Sequence, residues 1–344
     1  MAPILKAPVT LRETYSFYVP GSQPDRIQAC AEHGDAVVVA GKAGPKSVVA
    51  LRSSGWNKVV LFDQAGYLST EPRIDPPLKW FEEQQNAGAD RILTPGVWIG
   101  VQKGSLPFGA QIESEVALAE KHNATCLMAL DHHWLTKSAK FDEMFRSLKE
   151  LKLPVALVFG DRSDPLGYPG AVNSLVALTS QLESLSILRC DHGALGALAF
   201  GASHASMGLA TTYRHAVPPG VQSRCIPHDL SPRIFVRELM DWFTASTIGG
   251  WSTRRITSQC DLACCSGQHI ERFLDDRLKS DADLHNRSVL SAIAEVILDI
   301  PDPVDRRRAF GRMCSEAIEQ YGIMGGLTSR IKPKTQLEQW ALLY

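Results

Sequence analysis

Apolar residues in this chain gather into short unbroken runs, each followed by a stretch of helical spacing. The runs are 16–19 (SFYV), 36–40 (AVVVA), 58–62 (KVVLF), 91–94 (RILT), 125–130 (TCLMAL), 155–159 (VALVF), 186–190 (SILRC) and 204–209 (HASMGL). Helical spacing fills 24–33, 45–54, 77–87, 112–122, 141–151, 171–182 and 195–201. Runs without polar alternation are those of strands buried on both faces, as in a parallel sheet. Eight strand–helix units predict an α/β fold, a (β/α)8 TIM-like barrel over about 16–216. The rival is a doubly wound open sheet. No G-x-G-x-x-G follows the first run, which removes the usual dinucleotide version of it. The VPPG at 217–220 marks the exit and predicts a barrel over 1–218. The remainder, 219–344, predicts a zinc-binding and helical C-terminal subdomain, with a helix over 232–243, a cysteine cluster and a helical tail.

That cluster is the densest chemical signal. Cys260, Cys264 and Cys265 fall within six positions, and His285-Asn286 opens an apolar helix (Val289, Leu290, Ile293, Val296, Ile297) some twenty residues later. Three thiolates and an imidazole suit a closed, structural zinc site. Small buried core cysteines are the bland alternative. Cys-x3-Cys-Cys is not the common Cys-x2-Cys spacing, and adjacent cysteines reach one ion only over a bent backbone. The expectation is that one of Cys264 and Cys265 is a bystander. His269 competes with His285 and ranks below it.

Composition excludes more than it selects. The chain has 344 residues, 44% of them apolar and 21% charged, with net charge −1. No global basic field draws in nucleic acid. Local patches at Arg254-Arg255 and Arg306-Arg307-Arg308 are the candidates, each also readable as a solvated face. No apolar run has membrane-spanning length. The opening MAPILKAPVTLRETY lacks the apolar core of a signal peptide. Eight cysteines, three of them clustered, fit a reducing compartment. The expectation is a cytoplasmic protein.

Barrel enzymes work at the C-terminal ends of their strands. Those ends carry Asp63, Asp131, Asp161 and Asp191. Aspartate is depleted in strands and costly to bury, though each also suits a turn or a helix N-cap. Asp161 and Asp164, in GDRSDP, read as turn residues. Asp63, Asp131 and Asp191 are the functional candidates, with His132, His133 and His192 beside them. Gathered carboxylates can divide into a base or nucleophile and a protonated acid, which suits glycosidic-bond chemistry. Carboxylates also accept hydrogen bonds from guanine-like bases, and Tyr67, Trp98 and Trp134 are placed to stack on one.

FDQAGYL at 62–68 resembles the D-S-G-G-F-Q segment of the tRNA-guanine transglycosylase family, keeping Asp63, Gly66 and the aromatic Tyr67. Cys260, Cys265 and His285-Asn286 resemble that family's zinc subdomain; its middle cysteine falls on Leu262, and Cys264 stands nearby. The order of barrel, zinc subdomain and helical tail is similar too. The resemblance implies exchange of guanine for a 7-deazaguanine base in tRNA, or in DNA for a paralogous branch, through an aspartyl intermediate. It implies Asp63 as acid/base, Asp131 or Asp191 as nucleophile or base-reading carboxylate, and Gly66, Tyr67, Gly160 and Arg214 as substrate contacts. It also implies a zinc ion on Cys260, Cys264 or Cys265 and His285, and a homodimer or heterodimer. The family's nucleophile lies on strand eight, before P-T-R. Here that segment reads SHASMGLATTYRHA, without an acid. A non-catalytic partner subunit is the alternative within the family. Outside it stand two readings. Residues 195–209 resemble the phosphate-binding unit of nucleotide-binding barrels such as inosine-monophosphate dehydrogenase. Asp131, His133, Asp191 and His192 could surround the ion of a metal-dependent hydrolase.

Overall fold

The computed structural model describes residues 11–71, 78–101, 104–222, 229–252, 259–325 and 331–343. Contacts divide the chain into two units, Met1–Ser223 and Arg224–Tyr344. In the first, eight strands alternate with helices: β1 (Thr14–Pro20), β2 (Ala36–Ala40), β3 (Val59–Asp63), β4 (Val97–Ile99), β5 (Cys126–Asp131), β6 (Val155–Gly160), β7 (Leu185–Cys190) and β8 (His204–Gly208). All pairings are parallel, in the order β3-β2-β1-β8-β7-β6-β5-β4. The curled sheet is a TIM-like (β/α)8 barrel, as the apolar runs predict.

The run at 91–94 behaves differently from the other seven. It spans the gap between β3 and β5 through two single bridges, Leu61 with Arg91 and Leu93 with Thr125. A side chain takes the place of the missing ladder: the Gln84 amide donates to the Leu93 carbonyl at 2.8 Å and accepts from the Leu93 N–H at 3.0 Å. Pro95 has no N–H to pair, and Gly96 sits at φ 86°, so regular pairing resumes only at β4.

Strand periodicity sends alternate residues to opposite faces. Inward go Tyr18, Val38, Leu61, Leu93, Leu127, Val158 and Leu188, which pack as one cluster with Tyr67. The other set, Val37, Val39, Val60, Phe62, Met128, Leu157 and Ile187, is equally buried. Both faces are therefore apolar, which is why the runs show no alternation. Each fully buried Leu, Val or Phe contributes roughly 1.5–3 kcal/mol. At the first residue of β8, His204 is wholly buried with its Nε2 2.7 Å from Ser16 Oγ. Burial, with Arg91 adding to it, lowers its pKa to about 3.

In the second unit the segment expected as a helix over 232–243 is instead an antiparallel hairpin, β9 (Arg233–Val236) and β10 (Asp241–Thr244). Ile234, Phe235, Val236, Trp242 and Phe243 are β-branched or aromatic and favour extended backbone. Phe235 and Trp242 pack edge to face across the pair at 5.2 Å, and Met240 takes a left-handed φ of 48° to turn the chain. Helices Lys279–Leu298, Pro303–Gly325 and Thr335–Ala341 follow. His285 does not open its helix, which starts six residues earlier at Lys279. Of the proposed basic patches, Arg254-Arg255 lies outside the described residues. Arg306 is buried with its guanidinium on the Ile300 carbonyl, and Arg308 pairs with Asp305, so the second patch is not a shared basic face. No helix among the described residues is long and apolar enough to cross a membrane.

Candidate functional site

The four strand-end aspartates share one local device. Asp63 Oδ1 accepts from Ala65 N, Asp131 Oδ1 from His133 N, Asp161 Oδ2 from Ser163 N and Asp191 Oδ1 from Gly193 N. Each carboxylate thus closes an Asx turn that takes the chain off its strand. The turn role holds for all four. What separates them is where the remaining oxygen goes.

Asp63 is 0% exposed. Its Oδ2 accepts from the hydroxyls of Tyr18 at 2.5 Å and Tyr67 at 2.7 Å. Arg189 Nη1 donates to Tyr67 Oη at 3.3 Å and Nη2 to the Thr212 carbonyl at 2.7 Å, and the guanidinium lies 5.8–5.9 Å from the rings of Tyr18, Tyr67 and Tyr213. Burial pushes the Asp63 carboxyl above its ordinary value, opposed by both tyrosines, the Ala65 amide and Arg189. Burial also works against the charge of Arg189, and Tyr67, Tyr18 and Asp63 outweigh it. Arg189 reaches this position because β7 bulges against β8 between Ile187 and Cys190 and Arg189 takes φ 53°. A left-handed non-glycine residue costs of order 1–3 kcal/mol, and the network is what holds it.

A second group gathers at the ends of β5 and β6. His133 Nδ1 lies 2.6 Å from Asp131 Oδ1. His132 Nδ1 lies 3.4 Å from Asp131 Oδ1 and 3.6 Å from Asp161 Oδ1. Tyr168 stacks on the His132 ring at 4.2 Å and donates to Asp161 Oδ2 at 2.6 Å. Partial burial pushes Asp161 up, and the Tyr168 hydroxyl, the amides of Arg162 and Ser163, and His132 outweigh it to leave the carboxyl low. Burial, then His133, holds His132 below its usual pKa. Burial lowers His215; Asp191 and Asp161 act on it in the opposite sense, and Arg189 and Arg214 reinforce the lowering.

The other candidates fall as follows. Tyr67 is buried with its hydroxyl on Asp63, and Gly66 donates its N–H to the Pro95 carbonyl. Gly160 accepts from His132 N, and a Cβ there would lie 2.5 Å from the Trp98 ring, so glycine makes room for that ring. Arg214 spends its guanidinium on the Gly208 and Leu209 carbonyls. Trp134 is wholly buried with Nε1 on the Ile99 carbonyl, whereas Trp98 is half-buried. Strand eight ends at Gly208, where a Cβ would fall 1.9 Å from the Tyr213 carbonyl oxygen. No side chain fits there. The helix after β7, Gly193–Ala199, has its first turn held by Asp191, which leaves its amide end poorly placed as a phosphate cradle.

In the second unit, one ligand atom from each of Cys260, Cys264, Cys265 and His285 lies within 4.8 Å of the others. A reverse turn makes this convergence: Cys265 N and Ser266 N donate to the Leu262 carbonyl, Gly267 N to that of Cys260, and Ser266 and Gly267 both take positive φ. That bent backbone lets the adjacent thiols converge, with Cys264 Sγ 3.8 Å from Cys265 Sγ and Cys265 Sγ 3.3 Å from His285 Nδ1. Thiolates on one tetrahedral metal sit roughly 3.8 Å apart. His285 Nε2 is 3.1 Å from the Phe235 carbonyl, a bond that fixes the tautomer and turns the Nδ1 lone pair toward the sulfurs. Asn286 holds the same strand, accepting from Phe235 N and donating to the Arg233 carbonyl. The group can hold a metal ion. His269 is exposed, beside Gln259 and Glu271, outside the group.

Sequence reasoning missed Tyr18, Arg189, Asp161 and Tyr168. Arg189 left a signal, a lone charge inside the apolar run SILRC. Asp161 did too, but its GDRSDP context reads first as a turn.

No protein-family model matches the chain, and no curated protein does. Solved structures that resemble it include a xylose isomerase-like TIM barrel/4-hydroxyphenylpyruvate dioxygenase fusion protein, at 13% identity and a TM-score of 0.39, covering 60% of this chain and 40% of that one. HMG-CoA lyase from Brucella melitensis resembles it at 12% identity and a TM-score of 0.33, covering 59% of this chain and 86% of that one. The chain thus spans well under half of the fusion protein.

Proposed function

We propose that this protein is a zinc-stabilised barrel of the tRNA-guanine transglycosylase type, one that recognises a guanine or 7-deazaguanine base in tRNA or DNA without exchanging it. The observation that carries the reading is the convergence of Cys260, Cys264, Cys265 and His285, with His285-Asn286 gripping β9. Zinc is the ion such a closed donor set suits best, and its binding adds directly to folding free energy. Two features favour recognition over exchange. Gly208 leaves no space for an acid at the end of β8, and Asp63 has both oxygens engaged at zero exposure. A carboxylate so held has no lone pair turned to a substrate. Base reading is then assigned to Asp191, 7% exposed with Oδ1 on the Gly193 amide, with the half-buried Trp98 ring as stacking surface. The protein on this reading is a partner subunit that has kept the frame of the enzyme.

Purified protein should carry zinc that Cys260→Ser removes, with loss of folded signal from the second unit. It should bind guanine-containing tRNA or duplex DNA and neither release nor incorporate radiolabelled guanine. Asp191→Asn should weaken binding about tenfold, the value of one good base contact, with little change in melting temperature. Guanine exchange by the wild type, abolished by Asp191→Asn, would make the protein an enzyme of the family instead. A folded protein without zinc, or one that binds neither nucleic acid, would remove the reading altogether.

A further inference from the structure

The cluster on β5 and β6 holds a ligand-type atom between two carboxylates. His132 Nδ1 is buried from solvent and makes no hydrogen bond. It points between two carboxylate oxygens, Asp131 Oδ1 at 3.4 Å and Asp161 Oδ1 at 3.6 Å. The neighbouring His133 ring lies 4.0 Å away, tilted by 38°. One ligand atom from each of Asp131, His132 and His133 comes within 4.8 Å of the others. Donor atoms on one first-row metal, each about 2.1 Å from it, stand roughly 3.0–3.4 Å apart. The two contacts of His132 Nδ1 stand near that spacing, and the His133–Asp131 contact at 2.6 Å would open to it.

We propose that Asp131, His132 and His133, with Asp161 as a fourth donor, form a second metal site at the barrel mouth, for a divalent cation such as Zn2+, Mn2+, Fe2+ or Co2+. Two imidazoles and two carboxylates are borderline-to-hard donors and suit these ions. The support around them is built. Tyr168 holds Asp161 by Oδ2, leaving Oδ1 toward His132, and its ring fixes the His132 plane. The turn bond from His133 N fixes Asp131. His133 Nδ1 lies 2.6 Å from Asp131 Oδ1; as a metal ligand Nδ1 would pass its hydrogen to Nε2 by tautomerisation, freeing both atoms to face the ion. His133 is 36% exposed, so the site has an open side where water or a substrate oxygen completes the coordination, unlike the closed thiolate site. The inference does not rest on base recognition, and metal content is measured without nucleic acid.

The test begins with protein dialysed against a chelator, which should keep its thiolate-bound zinc and give up the mouth ion. Adding Co2+ should then fill one further site per chain, with weak visible bands and no thiolate charge-transfer band in the near ultraviolet. His132→Ala and Asp161→Asn should each lower this affinity about 100-fold or more, and Tyr168→Phe about tenfold, the span of ligand-support effects. The retained zinc should be unchanged in all three. Asp161→Asn keeps an oxygen for the Ser163 turn and gives the same reading should His132→Ala fail to fold. A wild type that takes up no second ion at millimolar Co2+ or Mn2+ would overturn the proposal, as would variants that bind it as tightly as the wild type.

Discussion

Asp63 and Asp131 end strands of the same barrel, close the same kind of turn and begin from the same sequence logic, yet the protein treats them in opposite ways. Around Asp63 both carboxylate oxygens are engaged at no exposure: two tyrosine hydroxyls and a backbone amide donate to them, and Arg189 stands behind Tyr67. Around Asp131 the partners are imidazoles, one with a nitrogen that bonds to nothing, beside a ring that reaches solvent. A saturated carboxylate group, with both oxygens engaged, stiffens the core around it and has no capacity left for a ligand. An unsaturated one keeps a lone pair in reserve. The lesson is that a carboxylate's place at a barrel mouth says little about its task; the count of its partners says more.

Variants can break this contrast, and the largest effect should come from its closed side. Asp63→Ala removes the buried acceptor of the Tyr18 and Tyr67 hydroxyls and a negative charge that supports Arg189, and each buried donor left unpaired costs about 1–3 kcal/mol. Urea unfolding should show it as a lower midpoint. A near-neutral result would mean that solvent reaches Asp63 and that the network is not closed.

Next in size is an acid effect seated at the other end of the strands. The fold holds His204 neutral, with a pKa near 3, while the unfolded chain takes up the proton near the ordinary 6.5. Stability present above pH 6.5 is therefore lost as pH falls toward 3, by up to about 1.4 kcal/mol per pH unit. His204→Gln should flatten the stability profile between pH 6.5 and 4.5, and a profile as steep as the wild type's would remove His204 as its source. Tyr18→Phe takes one hydroxyl from Asp63 and should cost about 1–2 kcal/mol, the penalty for leaving a buried acceptor short of a donor. Smallest of all should be Asp131→Asn, within about 1 kcal/mol, since Asn can still accept the turn bond. A destabilisation matching Asp63→Ala would erase the distinction between the two groups.

The barrel was legible because its strands are buried on both faces, which writes them as runs no other class of strand produces. The cysteine site was legible because thiols cluster for few other reasons. The hairpin of β9 and β10 was not, since IFVRELMDWF has the spacing of a helix as well as the residue types of a strand, and the pairing of Phe235 with Trp242 decides between them only in three dimensions. At the mouth the turn grammar hid the chemistry. Asp161 was passed over because GDRSDP explains itself as a turn, and Tyr168, seven residues on, declares itself only when its hydroxyl is seen on that carboxylate. Arg189 needs a bulge to leave the strand's regular register, and a run of five letters does not announce one.

Gly208 has a consequence for what the chain can become. The Tyr213 carbonyl lies so close that no residue larger than glycine fits without moving the segment from 209 to 213. A single substitution to aspartate at that point would therefore not install a nucleophile; it would first have to dismantle the turn that Arg214 ties to Gly208 and Leu209. A route from this barrel to one that attacks from strand eight runs through a rebuilt loop, several changes deep, with the early steps costing stability and returning no activity. Backbone closes the end of strand eight to side chains, and in mutational terms the closure is a ratchet.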